Sequence, residues 1–181
     1  MAVGARKDGT IKIWDIATKQ LLLTLSGQAR QDPSIAFSPD GKLIAAGSCD
    51  TSIFVWDAIT GELKLKLPGH SACVITLVFS SDATLLASAS PDHTTRIWDL
   101  KTGQELLTLP MGGIFPRLSF SPDGKFLLAS VAYSNNEKYD TRIFLLNPDD
   151  LVTLAKTRLT RSLIMEECQK YLHVNTCPAS P

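Results

Sequence analysis

The dipeptide Trp-Asp returns at a fixed interval. Trp14-Asp15, Trp56-Asp57 and Trp98-Asp99 stand 42 residues apart and then 42 again. Phe37, Phe79 and Phe120 keep nearly the same step, at 42 and then 41 residues. Ser38-Pro39-Asp40-Gly41-Lys42 comes back as Ser121-Pro122-Asp123-Gly124-Lys125. Several motifs recurring in phase at this period restrict the chain to one supersecondary unit per repeat. Each unit is too thin to bury its own apolar faces, so the units must stack.

The most complete unit runs from Gly69 to Asp99. After Gly69-His70 comes an apolar run, Val74 to Phe79, then a turn over 80–84, then Leu85 to Ser90. A second turn, Pro91-Asp92-His93-Thr94, leads into Thr95-Arg96-Ile97-Trp98-Asp99. Five- and six-residue apolar runs rich in β-branched and aromatic side chains, separated by turn residues, predict short strands. Four strands per period of roughly 40–45 residues, with Gly-His early and Trp-Asp late, are the marks of a propeller blade. On these residues the chain resembles the WD-repeat β-propeller family over about residues 1–147. The resemblance implies an all-β fold: a partial propeller of about four blades, each a four-stranded antiparallel sheet.

Taken in order, the blades fall at about 1–25, 33–67, 71–109 and 111–147. The first is partial. Met1-Ala2-Val3-Gly4 aligns with Ile44-Ala45-Ala46-Gly47, so its innermost strand and part of the next are missing. In the fourth, Phe144 stands in place of the tryptophan and about five extra residues lie within Tyr133 to Tyr139. Three, four, four and three strands make 14. The period then changes. Asn147-Pro148-Asp149-Asp150 suits a helix start, and apolar residues at helical spacing follow, so residues 148–181 are predicted to form a short α-helical tail. The segment from Leu159 to Pro178 is similar to one that closes bacterial WD-repeat proteins, often large signalling proteins with an NTPase or other effector domain ahead of the propeller. The expectation is therefore the carboxy-terminal portion of a longer propeller.

His70, Ser88 and Asp92 include the side chains of a hydrolytic triad. In the family, those motif positions together with Trp98 form a structural hydrogen-bond tetrad inside the blade. Pairing relieves the desolvation cost of the buried polar groups. The structural reading is preferred, because a nucleophile must be open to substrate and a mid-strand serine is not. The second blade carries Gln28 and Ala46 at the histidine and serine positions, and the fourth carries Ala129 and Phe144. The repeat-signature residues are Trp14, Asp15, Trp56, Asp57, Trp98 and Asp99.

No other chemistry is persuasive. Cys168, His173 and Cys177 fall one ligand short of a structural zinc site, and no Cys-x-x-Cys pair exists. Gly112-Gly113 is not a phosphate loop, for no Gly-Lys-Ser/Thr follows. No metal, no cofactor and no catalytic residue is expected. The formal net charge of zero gives no pointer to nucleic acid, and no apolar run is long enough to span a bilayer. The start lacks an apolar signal-peptide core. The four cysteines are scattered, so no disulfide framework is expected. Cys49 and Cys73 are read as small apolar side chains in a reducing, cytoplasmic setting.

The function implied by the resemblance is a non-catalytic protein-interaction scaffold, with protein partners and possible self-association through open blade faces. A sensor or autoinhibitory region of a larger bacterial signalling NTPase or effector protein is the alternative. A hydrolase with its site on the propeller axis is the weaker rival. The partner surface is expected on the loop rim, with Arg30, Met111, Phe115, Tyr133 and Tyr139 as its candidates. For Met111 and Phe115 the competing reading is that they fill the gap at the open end of the arc.

Overall fold

The computed structural model describes residues 2–4, 10–26, 34–111, 116–132 and 139–146, without the side chains of 2–4, 26 and 139. The expected helical tail over 148–181 lies outside the described residues.

Among the described residues, fourteen strands form four antiparallel sheets. The first sheet is β1 (Ala2–Gly4), β2 (Thr10–Trp14) and β3 (Leu21–Ser26). The second is β4 (Ile35–Phe37), β5 (Leu43–Gly47), β6 (Ser52–Asp57) and β7 (Leu63–Pro68). The third is β8 (Thr76–Phe79), β9 (Leu85–Ser90), β10 (Thr94–Asp99) and β11 (Glu105–Pro110). The fourth is β12 (Arg117–Phe120), β13 (Phe126–Ala132) and β14 (Tyr139–Leu145). In every sheet the strands lie in chain order, as in a propeller blade. The β2–β3, β6–β7 and β10–β11 pairs each slip register immediately before their tryptophan, at Ile13/Trp14, Val55/Trp56 and Ile97/Trp98. The extra residue of each bulge, Leu22, Lys64 and Leu106, lies on the outer strand, which the bulge bends.

The turns explain part of the motif. In the turn between the first two strands, Ser38 Oγ donates to Asp40 Oδ1 at 2.6 Å and accepts the Leu43 N–H at 2.9 Å. Ser80–Asp82–Leu85 and Ser121–Asp123–Phe126 repeat the arrangement. Gly41 and Gly124 hold a left-handed backbone at φ 71°, where glycine has no steric cost, and Ala83 holds the same turn at φ 57°.

Apolar residues alternate between the two sides of each sheet, and the facing sides of neighbouring blades pack together. Ile11, Ile13 and Leu25 of the first sheet pack against Ile44, Ala46, Phe54 and Trp56 of the second. Ala45, Ile53, Val55 and Leu67, on the other side of the second sheet, pack against Leu77, Phe79, Leu86 and Trp98 of the third. Gly47 marks how close the second and third blades come: a Cβ there would lie 2.4 Å from the carbonyl oxygen of Val74.

Cys49 and Cys73 correct the sequence expectation. They are joined by a disulfide, not packed as separate apolar side chains. Cys49 sits in the β5–β6 turn and Cys73 in the loop entering β8. The Val74 N–H donates to the Ser48 carbonyl at 3.1 Å, drawing the two loops together. The pair is invisible to a search for regular cysteine spacing because it is made by two blades meeting, 24 residues apart in the chain.

Candidate functional site

His70, Ser88, Asp92 and Trp98 come together in the third blade. The pleat puts Trp98 and Ser88 on the same face of adjacent strands, with Trp98 opposite Leu86 and Ser88 opposite Arg96. The Trp98 indole N–H donates to Ser88 Oγ at 2.8 Å. Ser88 Oγ lies 2.8 Å from His70 Nε2, and His70 Nδ1 lies 2.8 Å from Asp92 Oδ2. Asp92 also accepts the Ser71 N–H at 2.9 Å and the Thr94 hydroxyl at 2.7 Å. The donors and acceptors close in one order only when His70 is neutral with its proton on Nδ1. The serine hydroxyl then donates to Nε2 and the imidazole N–H donates to the carboxylate.

This geometry contains the spacing of a hydrolytic triad and lacks its access. Ser88 has no exposed surface, and its oxygen already accepts the indole N–H. A substrate carbonyl cannot reach it without the blade coming apart. What the arrangement can do is brace: the His70 loop is tied to two strands of its own sheet.

Burial holds the His70 imidazole below its ordinary value, and the adjacent Asp92 carboxylate pulls the other way without overcoming it. Burial pushes the Asp92 carboxyl upward, but the hydrogen bonds from Thr94, Ser71 and His70 outweigh it and hold the group at about 2. Both groups bind protons less readily when folded, so both stabilise the fold at higher pH. Stability should be full near neutrality and fall as pH drops below about 6.5, where an unfolded histidine takes up a proton. A second loss, worth about 2 kcal/mol from Asp92, is expected from about pH 4 down to about pH 2. Urea titrations across this range should show both steps, and His70→Gln should remove the upper one. A flat profile between pH 5 and 7 in the unmodified chain would contradict it.

The signature aspartates serve the outer hairpins. Asp57 Oδ1 accepts the Ile59 and Thr60 N–H groups, each at 2.9 Å. Asp15 and Asp99 do the same for Ala17 and Thr18 and for Lys101 and Thr102. These backbone bonds, led by Thr18, Thr60 and Lys101 respectively, hold all three carboxyls below the ordinary value. Trp56 is buried against Phe54, with ring centroids 5.8 Å apart, while Trp14 is partly exposed.

Of the expected partner residues, Met111 alone is described with its side chain. Arg30, Phe115 and Tyr133 lie outside the described residues, as does Gln28, and only the backbone of Tyr139 is described. Met111 corrects the rim assignment, for it is buried with Ala129 and Val131, against Leu118 and Phe144. With the 41-residue step that relates Phe79 to Phe120, Met111 falls on His70, Ala129 on Ser88, and Phe144 sits at the tryptophan position. The fourth blade thus fills the same place with apolar side chains. Such a swap is tolerated because it leaves no polar atom unpaired. The signal was present in the sequence, since the 41-residue offset was already readable from the phenylalanines.

Residues 19–57 and 61–99 match the family model described as WD domain, G-beta repeat. Each match ends on a Trp-Asp pair and begins near the outer strand of the preceding blade, so the matched unit straddles two sheets. These two stretches are WD repeats. WD repeats generally mediate protein–protein interaction, and the family is typically non-catalytic. No curated protein matches the chain. Among the described residues, no cluster of three or more His, Cys, Asp or Glu could hold a metal ion, and no helix is long and apolar enough to cross a membrane.

Proposed function

We propose that this WD-repeat chain is a non-catalytic scaffold that binds other proteins, and that its blades work as part of a larger ring. One observation carries the reading: the most triad-like residues are spent inside the third blade as a closed hydrogen-bond chain. What the blades offer to a partner is the surface where their inner strands meet.

There a cleft of about 570 Å³ lies between the third and fourth blades, lined by Ile75, Thr76, Pro116, Arg117 and Leu118. The Thr76 hydroxyl donates to the Pro116 carbonyl at 2.6 Å and fixes one wall. Arg117 is exposed at its edge, and arginine beside apolar walls is a common composition of interface anchors. Affinity capture with the full chain, followed by mass spectrometry, should identify a partner that Arg117→Glu loses with an unchanged melting temperature. Equal capture by the variant would remove the cleft from the reading. Hydrolytic turnover abolished by Ser88→Ala in a folded protein would replace the scaffold with an enzyme.

A further inference from the structure

The Cys49–Cys73 disulfide is not what joins one blade to the next. Pro91 stands at the place of Cys49 in the third blade, one 42-residue step on, and no cysteine precedes Cys49 in the chain. The first and second blades pack through Ile13, Phe54 and Trp56 with no such bond between them. Even at its own joint the disulfide is backed by other contacts. The Val74 N–H donates to the Ser48 carbonyl at 3.1 Å, and Gly47 leaves room for Val74 to lie against its strand. Ser48 precedes one cysteine and Val74 follows the other, so these contacts sit directly beside the bond in both loops.

The bond also lies where a reagent can meet it. Cys49 and Cys73 are both half-buried, in a turn and a loop, while the apolar core of the same joint, with Ala45, Val55, Leu86 and Trp98, is closed. Disulfides that reach solvent are the ones open to thiol exchange. The fold also provides for the reverse step. With the bond broken, the Val74–Ser48 hydrogen bond and the Gly47 contact still hold the two loops side by side, so the two thiols stay within reach of each other.

We propose that Cys49 and Cys73 form a reversible dithiol–disulfide couple in the folded chain, a site of exchange with a small dithiol reductant. It is independent of the scaffold reading and of the cleft. A thiolate of the reductant attacks one sulfur, forming a mixed disulfide and releasing the other cysteine as a thiolate. The reductant's second thiolate then attacks its own sulfur in the mixed disulfide. That frees the remaining cysteine and leaves the reductant as a cyclic disulfide. Two electrons pass to the cysteine pair, and the two protons of the reductant's thiols end on the cysteine thiols. The same steps in reverse restore the bond. Because the bond favours the fold, the fold favours the bond by the same factor, about 100-fold for a closed loop of this length.

The test equilibrates the full chain, without denaturant, in graded mixtures of reduced and oxidised dithiothreitol. Thiols are then trapped by acid and alkylation and mapped by mass spectrometry. Cys49 and Cys73 should convert together in one two-electron step, reach the same end point from the oxidised and the reduced side, and leave circular dichroism unchanged. In urea the same mixtures should give an oxidised-to-reduced ratio about 100-fold lower. Four results would overturn the proposal. The folded chain could resist excess dithiothreitol that reduces the chain in urea, which makes the bond a locked structural one. Circular dichroism could be lost in step with reduction. The ratio could be equal in folded and unfolded chain. Reoxidation could pair either cysteine with Cys168 or Cys177 instead.

Discussion

Trp98→Ala should destabilise the chain by about 3–5 kcal/mol, and by more than Trp14→Ala does. The two tryptophans occupy the same place in their blades and differ in what covers them. Trp98 packs with Val55, Leu67 and Leu86 between two sheets. Removing it opens a cavity that these neighbours cannot collapse to fill, since they sit on hydrogen-bonded strands. It also takes the indole N–H away from Ser88 Oγ, leaving the relay through His70 one donor short. Trp98→Phe separates the two contributions: it keeps most of the volume and loses the donor, and should cost about 1–3 kcal/mol. Trp14 is 39% exposed, so its removal uncovers less apolar surface. Urea denaturation of the three variants should show the lowest midpoint for Trp98→Ala. Equal midpoints for Trp98→Ala and Trp14→Ala would mean that the third blade is not braced through its tryptophan.

The fold was legible because the residues that repeat are those whose chemistry is local. Asp57 binds N–H groups two and three residues on, and Ser38 binds within five, so turn after turn is written in a few adjacent letters. The tetrad is less local, running from His70 to Trp98, and was legible only through the family resemblance. Met111 was ambiguous because a flexible thioether suits a rim and a gap equally. What decides is the register, in which Met111 takes the place of His70 beside Ala129 and Phe144. The cysteine pair was misread for a different reason. Nothing near Cys49 in the sequence points to Cys73. Their meeting depends on Gly47 letting Val74 approach and on the Val74 N–H reaching Ser48, contacts made between blades.

That pair gives the second large effect. Reducing the Cys49–Cys73 disulfide should lower stability by about 3 kcal/mol, the chain-entropy contribution of a closed loop about this long. The loop it closes contains the third and fourth strands of the second blade, β6 and β7, and the entry to the third blade, so in the unfolded chain it restricts segments from two repeats at once. In the folded chain the loops are already held by the Val74–Ser48 hydrogen bond and by the close packing at Gly47. Reduction should therefore leave the sheets formed and act mainly by releasing the unfolded state. The expected result is a lower urea midpoint with dithiothreitol present, and an unchanged circular dichroism spectrum without denaturant. The double variant Cys49→Ser, Cys73→Ser should match the reduced chain and ignore the reductant. Alkylation of the unreduced protein should leave these two positions unmodified. If both label fully without reductant, or if reductant shifts the double variant as much as the unmodified chain, the stabilisation does not come from this bond.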